Sequence, residues 1–587
     1  MLPKNTFANI NAVWANLLIE ELIRNGVDYF CIAPGSRSTP LAIAVAQNPH
    51  AHSTVHFDER GLGFYALGNT VAAQKPTVII TTSGTAVVNL FPSIVEASKK
   101  KLPLIILTAD RPPELRSTGA NQTIDQIKIF GDYVRFFFDL PCPTTDIPPE
   151  FILTTIDQAL FRAKGELCGP VHLNCMFREP LAPNHDQNDF SVYLESLALW
   201  LKHHKPYTQY ESPDVYISIK AIDQAADILK TVKQGIIAVG KISGKKDEEA
   251  ILTLARKLNW PIFADITSGL RFGQKHKHII HHFDHILNAD DKFINIKPDG
   301  VLHFGGRLTS THWYRLIKRR HPRHYLMILK HPLRNDPEHR VTIRLQGDIS
   351  NFCKTVITKI SQRPTSLLFR RFQKQDMLCE RIINNTILKT SALISEPAVA
   401  RIVSQLIPKN SGLFISNSMP IRDMNHFASK EGSSVFLTAN RGASGIDGNI
   451  ATTAGFAKGL KKPCTALLGD LAFLHDLNSL SLMQNIKHPL VLIVINNKGG
   501  AIFSFLPVAK FNDGFNKFFM AEHQWTFEHA ATLFKISYKL ITHLEDFQKT
   551  YEIAIKTPKA TILEIQSDSI KNHTCHCNIA DKIRNIL

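Results

Sequence analysis

The sequence predicts an α/β protein of three domains, each an open, mostly parallel sheet flanked by helices. Three observations carry that prediction. Short apolar runs rich in Ile and Val alternate with helical patterns along the whole chain. The runs lack period-two alternation, as do parallel strands covered on both faces. The length of 587 residues is several times the roughly 150 residues of one domain.

The elements follow in order. Residues 10–25 read as an amphipathic helix carrying Glu20, Glu21 and Arg24, not as a signal peptide. "GVDYFCIAPGSRSTP" (26–40) reads as strand, loop and helix start. "KPTVIITTSGTAVVNLFPSIVEAS" (75–98) repeats the arrangement, and "LPLIILTAD" (102–110) is another buried strand. The first domain is placed at 1–185, and the polar stretch 181–212 reads as a linker. A second domain, at 213–362, opens with "GIIAVGKISG" (235–244). It continues through the helix-then-strand "DEEAILTLARKLNWPIFAD" (247–265), "DGVLHFGGR" (299–307) and "HYLMILK" (324–330). Residues 365–390 are charged and helical, a connector. The third domain, at 385–587, contains "GLFISNS" (412–418), "VFLTANRG" (435–442), "CTALLGD" (464–470), "PLVLIVINN" (489–497) and "ATILEIQ" (560–566). Three such units suggest duplication of a nucleotide-binding-like fold.

Bulk properties exclude several classes. The net charge is +17 and the pI about 9.4. However, the densest basic clusters, Lys99–Lys101 and Lys318–Arg320, are short and lack interleaved aromatics. The charge therefore suits anionic small substrates better than nucleic acid. No apolar run approaches the roughly 20 residues of a membrane span. The 9 cysteines are scattered, as in a reducing cytoplasm. Only Cys575-His576-Cys577 is closely spaced, with no second pair at zinc-site spacing, and it reads as part of a free tail. A cytoplasmic protein is expected.

Ligands of open parallel sheets sit at the carboxyl ends of strands, and two strand ends in the third domain belong together. One carries Gly469-Asp470. The other, 27 positions on, carries Asn496-Asn497-Lys498-Gly499-Gly500. The interval has room for one helix, at about 476–487, and a return strand, so a βαβ unit sets the two ends side by side. Asp470, the Asn497 amide oxygen and a carbonyl of the glycine turn then form an oxygen half-shell suited to Mg²⁺. Read singly, each motif is a helix cap or an ordinary turn. Asp476 is expected on a helix surface.

The paired motif resembles that of thiamine-diphosphate enzymes, which implies Asp470, Asn497 and the Gly499 carbonyl as metal ligands. The common form has glycine where this chain has Leu471. The other half of that signature is a glutamate. "HFDERGLGFYALG" (56–68) supplies Glu59, implied to hydrogen-bond the pyrimidine of the cofactor and relay its proton. Pairing of Glu59 with Arg60 is the simpler reading.

Longer stretches narrow the resemblance. "APGSRSTPLA" (33–42), "TTSGTAVVNLFPSIVEA" (81–97), "LTADRPPELRSTGANQTIDQ" (107–126), "NRGASGIDGNIATTAG" (440–455) and "NNKGGAIFSFLP" (496–507) are similar to the 2-succinyl-5-enolpyruvyl-6-hydroxy-3-cyclohexene-1-carboxylate (SEPHCHC) synthases of menaquinone biosynthesis. That branch also lacks the third glycine. It implies a transferase that decarboxylates 2-oxoglutarate on thiamine diphosphate with Mg²⁺ or Mn²⁺, then adds the carbanion to isochorismate. An acetohydroxyacid synthase-like carboligase is the alternative. The resemblance further implies a homodimer or homotetramer with active sites between subunits, and no nucleic-acid partner. Implied substrate-binding residues are Ser36, Arg37, Arg111, Asn121, Gln122, Ser418, Arg422 and Arg441, with Ile502, Phe503 and Leu506 as an apolar wall. Leu471 and Ile446 are implied cofactor contacts, Ile446 as the wedge that bends the cofactor. Four loop arginines suit dicarboxylate substrates independently. In the middle domain many relatives carry cations where this chain has Thr311 and His312, so Arg307 or Arg315 is the available substitute.

Overall fold

The computed structural model describes residues 6–183, 188–293, 296–387, 394–484, 486–511 and 513–587. Parts of three predicted segments lie outside these residues: 184–187 of the linker, 388–390 of the connector and 485 of the expected 476–487 helix.

Three sheets hold the predicted apolar runs. The first comprises β1 (Tyr29–Ile32), β2 (His52–Val55), β3 (Thr77–Thr81), β4 (Leu104–Asp110), β5 (Phe137–Leu140) and β6 (Val171–Met176). Its order is β2-β1-β3-β4-β6-β5, parallel throughout. Every residue of β3, β4 and β6 is buried, the condition that dispenses with alternation. The helices used below are α1 (Ile10–Arg24), α2 (Glu59–Ala73) and α3 (Phe91–Lys100).

The second sheet comprises β7 (Gly235–Val239), β8 (Ile262–Ala264), β9 (Gly300–Phe304), β10 (His324–Leu329) and β11 (Ile343–Gln346). Its order is β8-β7-β9-β10-β11, again parallel. It is accompanied by α4 (Thr311–Arg320), and α5 (Leu367–Ile387) follows. The third comprises β12 (Gly412–Ile415), β13 (Phe436–Thr438), β14 (Cys464–Gly469), β15 (Leu490–Asn496), β16 (Ser537–Ile541) and β17 (Ala560–Gln566). Its order β13-β12-β14-β15-β17-β16 repeats that of the first sheet strand for strand. The helices of this part of the chain are α6 (Glu396–Leu406), α7 (Met419–Phe427), α8 (Asn449–Leu460), α9 (Asp470–His475) and α10 (Ser569–Ile586).

The chain forms two compact units. One holds residues to Pro213 together with Asn440–Lys461 and Leu474–Ile486; the other holds the rest. In the first unit α2 and α8 pack backbone to backbone. A Cβ on Gly68 would stand 2.1 Å from the Thr452 carbonyl oxygen, and one on Gly455 2.0 Å from that of Tyr65. In the second unit one apolar cluster runs from Ile236 and Phe263 through Phe369 and Phe372 to Leu413, Val491 and Leu563. The middle and third sheets therefore share a core.

Several expectations need correction. The linker is not detached, because Leu194, Leu197 and Trp200 join the first core. Trp200 Nε1 and the Tyr207 amide both donate to the buried Glu21 carboxylate, at 2.7 and 2.6 Å. The basic clusters cap helices: Lys99 and Lys100 occupy the last turn of α3, and Lys318–Arg320 that of α4, where cations complement the helix dipole. Cys575-His576-Cys577 lies within α10 and not in a tail, and His576 Nε2 pairs with Asp423 at 3.1 Å. Among the described residues no helix is long and apolar enough to cross a membrane.

The α2–α8 contact gives a prediction of sign. Helix propensity alone makes Gly→Ala stabilising by about 1 kcal/mol. At Gly455 the added methyl meets a fixed carbonyl, and overpacking of that kind costs roughly 1–3 kcal/mol or more. Gly455→Ala is expected to lower the urea midpoint; an unchanged or raised midpoint would contradict the close packing.

Candidate active site

In the third sheet the strand order reverses between β12 and β14, the place where open sheets of this kind bind ligands. β12 runs into Ser416, Asn417 and Ser418, and β14 into Asp470. Gly469 pairs with Ile495 in the adjacent β15, so Asp470 and Asn497 emerge side by side. Asp470 is 2% exposed. Its Oδ1 accepts from the Leu471 amide at 2.6 Å and its Oδ2 from the Gly499 amide at 2.9 Å. His523 Nε2 stands 3.3 Å from Oδ2. Burial raises the Asp470 pKa, against the pull of those two amides and of His523. The carboxylate remains short of positive charge, an expensive state for a buried group.

Asn497 completes the arrangement. Its Nδ2 donates to Glu396 Oε1 at 2.9 Å, while its buried Oδ1 has no hydrogen-bond partner. Gly499 adopts φ 144°, and a Cβ there would stand 2.2 Å from the Met520 carbonyl oxygen. Only glycine brings this turn so close. A buried carboxylate beside an unsatisfied amide oxygen and a glycine-turn carbonyl is a hard-donor set that fits a divalent cation. Among the described residues no group of three or more His, Cys, Asp or Glu side chains offers a metal site of another kind.

Other expected residues of this unit lie on the segments that follow β12 and β15. Ser418, at φ 69°, precedes α7 without a side-chain capping bond, and Arg422 Nη1 donates back to its carbonyl; burial lowers the Arg422 pKa. The far end of α7 is fastened by Asp284. Asp284 Oδ2 accepts from Asn425 and His426 at 3.0 and 2.8 Å. Its Oδ1 accepts from Ser310 and His312 at 2.6 and 2.8 Å. Burial would raise the Asp284 pKa, but His426 and His312 hold it well below the usual range. His312 thus serves Asp284, and Thr311 opens α4. Ile502 and Phe503 lie in a 3-10 turn, Ala501–Phe505, with Leu506 exposed beyond it and the Phe503 ring 5.5 Å from Phe519.

The remaining candidates belong to the first unit. Glu59 opens α2 behind the cap Asp58, whose side chain accepts from the Gly61 amide at 3.2 Å. Arg60 turns instead to the His475 carbonyl at 2.7 Å and to Asp58 at 4.0 Å, so it is not the partner of Glu59. Arg37 and Arg111 are both buried. Arg37 Nη1 donates to the Phe177 carbonyl at 2.9 Å and lies 3.3 Å from Glu179. Arg37 Nε and Arg111 Nη1 have no partner. Burial, then the Arg37 charge, lowers the Arg111 pKa. Such a pair invites a carboxylate. Ser36, Asn121 and Gln122 are exposed on neighbouring loops, and Gln122 Nε2 donates to the Ser83 carbonyl at 2.9 Å.

Arg441 and Ile446 occupy the loop that enters α8. Glu96 of α3 accepts from the Gly442 and Ala443 amides at 2.8 and 2.6 Å. Asn449 Nδ2 donates to the Ile446 carbonyl. Asp476 accepts from the Ala451 amide at 2.9 Å and from Ser479 Oγ at 2.7 Å. Asp476 is therefore not on a helix surface but 1% exposed. In place of one helix over 476–487 the chain makes α9 and then a 3-10 stretch, Leu477–Met483. The break lets Asp476 turn inward onto α8, whose own cap residue, Gly448, has no side chain to offer.

Sequence reasoning missed Glu396, Glu96 and His523. Ser395-Glu396-Pro397 signals only a helix start. Glu96 lies hundreds of positions from the amides it holds. His523 sits in no motif.

Comparison with known proteins agrees with this picture. The N-terminal TPP-binding domain of thiamine pyrophosphate enzymes matches residues 13–129, their middle domain 191–415 and their C-terminal TPP-binding domain 419–565. A solved thiamin diphosphate-dependent enzyme from Mycobacterium smegmatis shares the fold with a TM-score of 0.69. It is 16% identical, and the match covers 94% of this chain and 99% of that one. The family matches make the chain a thiamine-diphosphate-dependent enzyme. The SEPHCHC synthase of Rubrobacter xylanophilus is 41% identical over 96% of this chain and 97% of its own length. That of Chlorobium phaeobacteroides is 40% identical over 98% of both. The chain belongs to the 2-succinyl-5-enolpyruvyl-6-hydroxy-3-cyclohexene-1-carboxylate synthase family.

Burial of Asp476 makes a pH prediction. Its pKa is pushed up to about 6, chiefly by burial, above an unfolded value of about 3.9. The folded state holds the proton more tightly, so this contribution to stability is full below about pH 4 and is lost as pH rises through about 6. Relative to Asp476→Asn, which does not titrate, the native protein should lose stability over that interval. Urea midpoints of both proteins across it test this, and a constant difference would refute it.

Proposed function

We propose that the chain catalyses thiamine-diphosphate-dependent decarboxylation of 2-oxoglutarate and 1,4-addition of the resulting four-carbon unit to isochorismate, forming SEPHCHC and CO₂ in menaquinone biosynthesis. The observation that carries this reading is the buried Asp470 beside the unsatisfied Asn497 oxygen, at the reversal point of the third sheet. In this reading the first sheet lies in a pyrimidine-binding domain (1–185). The middle sheet lies in a central domain (213–362) and the third in a diphosphate-binding domain (385–587).

Asp470, Asn497 and the Gly499 carbonyl would hold Mg²⁺ or Mn²⁺ and through it the diphosphate, with Leu471 and Ile446 as further cofactor contacts. The cofactor, when bound, supplies a nucleophilic carbon and an electron sink for the carboxylate's electrons. Glu59 would hold a proton at the pyrimidine nitrogen and pass it on. Arg37 and Arg111, with partnerless guanidinium nitrogens, would clamp substrate carboxylates, helped by Ser36, Asn121, Gln122, Arg441, Ser418 and Arg422. Ile502, Phe503 and Leu506 would exclude water, disfavouring the carboxylate relative to a neutral product. Glu59 and Asp470 working from different subunits would make the enzyme a homodimer or homotetramer. It would work in the cytoplasm.

The direct test mixes the protein with thiamine diphosphate, Mg²⁺, 2-oxoglutarate and isochorismate. Isochorismate absorbance should fall only when all four are present, and a fall without 2-oxoglutarate would refute the reaction. Glu59→Gln should retain cofactor binding yet lose most turnover; near-normal CO₂ release would remove its proton-handling role. Asp470→Ala should lose Mg²⁺-dependent cofactor affinity by calorimetry, and unchanged binding would overturn the metal assignment.

A further inference from the structure

The paired asparagines of the turn after β15 are each held by a glutamate from elsewhere in the fold. Asn496 Nδ2 donates to Glu564 Oε1 at 2.8 Å and to the Trp525 carbonyl at 2.9 Å. Its Oδ1 accepts from the Lys498 amide at 3.2 Å. Glu564 is itself fixed by the Phe527 amide and the Tyr538 hydroxyl, at 2.8 and 2.9 Å. Asn496 is thus satisfied at both ends.

Asn497 is built the same way up to the last step. Its Nδ2 donates to Glu396 Oε1 at 2.9 Å, and Ser567 Oγ approaches the same oxygen at 3.4 Å. Glu396 is 3% exposed, on the first residue of α6 behind the cap Ser395. Its carboxyl neighbours are Asp423 and Asp470. Asn497 Oδ1, unlike Asn496 Oδ1, is buried with no partner.

An amide side chain is nearly symmetric in shape and distinguishes its two faces only through its partners. A buried acceptor on one side selects the NH₂ for that side and leaves the oxygen for the other. We infer that Glu396 is a positioning residue for the cation site: by accepting from Asn497 Nδ2 it aims Asn497 Oδ1 at the cation. The same contact keeps a second carboxyl in the neighbourhood without making it a ligand. This rests on the reading of Asp470, Asn497 and Gly499 as the cation's ligands.

Partners of this kind behind a metal ligand typically change metal affinity by roughly 10–100-fold. The test is Mn²⁺ binding in the presence of thiamine diphosphate, followed by the electron paramagnetic resonance of free Mn²⁺. Glu396→Ala should bind about tenfold more weakly or worse. Glu396→Gln keeps an acceptor oxygen and should recover most of the affinity. In an Asn497→Asp background, where both faces present oxygen, Glu396→Ala should not weaken binding. Thermal midpoints of the cation-free proteins separate these effects from unfolding. Native affinity in Glu396→Ala, or equal loss in Glu396→Gln and Glu396→Ala, would overturn the inference. Native affinity in Asn497→Ala would instead overturn the underlying ligand assignment.

Discussion

The third sheet is organised around a buried acid at a strand end, Asp470. Asp470 is a carboxylate at the tip of a fully paired central strand, and the protein brings it two backbone amides and a neighbouring imidazole. That is too little to offset burial, which still raises its pKa. A buried acid in that state is stable only if something positive arrives or the proton stays. Nearby features follow from leaving that place open. Gly499 lets its turn press against the Met520 carbonyl and donate to Asp470. The Asn497 oxygen is kept free of partners. His523 closes one side. The register of β14 with β15 makes all of this possible, since a slip of one residue would turn Asp470 away.

The repeated strand order places groups of opposite character at the strand ends of two different sheets. In the third sheet the reversal point delivers an acid and an amide oxygen. In the first, the corresponding point lies between β1 and β3, and the loop after β1 delivers Arg37. Arg111, after β4, is close enough for the two guanidinium charges to feel one another. One sheet gathers oxygen donors and the other gathers N–H donors. The middle sheet, with a five-strand version of the same order, lends the third a mechanical service. Asp284 pins the end of the helix whose start carries Ser418 and Arg422. His312 is engaged in that service, its Nδ1 2.8 Å from Asp284 Oδ1.

Legibility in the sequence followed the range of each interaction. Most buried strands are readable as continuous apolar runs; β6, equally buried, is not, because His172 and Asn174 interrupt it. The Asp470–Asn497 pairing was readable because a βαβ unit is local and its crossover has a known span. Strands β5, β6, β11 and β16 were not singled out; β5 and β16 mix half-exposed and polar residues such as Asp139, Ser537 and Lys539. The 476–487 helix is inferred from the room between the two strand ends, and nothing nearby signals that Asp476 must reach back to α8. Glu396 and Glu96 act across 101 and 346 positions, and a single sequence does not record such distances. The stretch after 181 reads as a linker because its flanks, 183–189 and 202–212, are polar, although the apolar run 190–201 lies between them. Three-dimensional contact with α1 is what makes part of that run core.

These long-range glutamates share a physical logic. A backbone amide or a carboxamide near a reacting centre must point one way, yet its own torsion barriers and shape hardly favour that way. Glu96 settles the matter for the Gly442 and Ala443 amides, on the loop that carries Arg441 and Ile446. Asp476 does so at the other end of that loop, and Glu564 and Glu396 for the paired asparagines. In each case an acid that could have been a ligand is placed one layer behind, where accepting a hydrogen bond uses its lone pairs. Within each unit these acceptors hold amides from behind. A cation-binding crevice gains from that arrangement, because every additional inward carboxylate would repel a diphosphate. In the third sheet, geometry held from behind leaves the Asn497 oxygen beside the Asp470 carboxyl without adding a further inward acid.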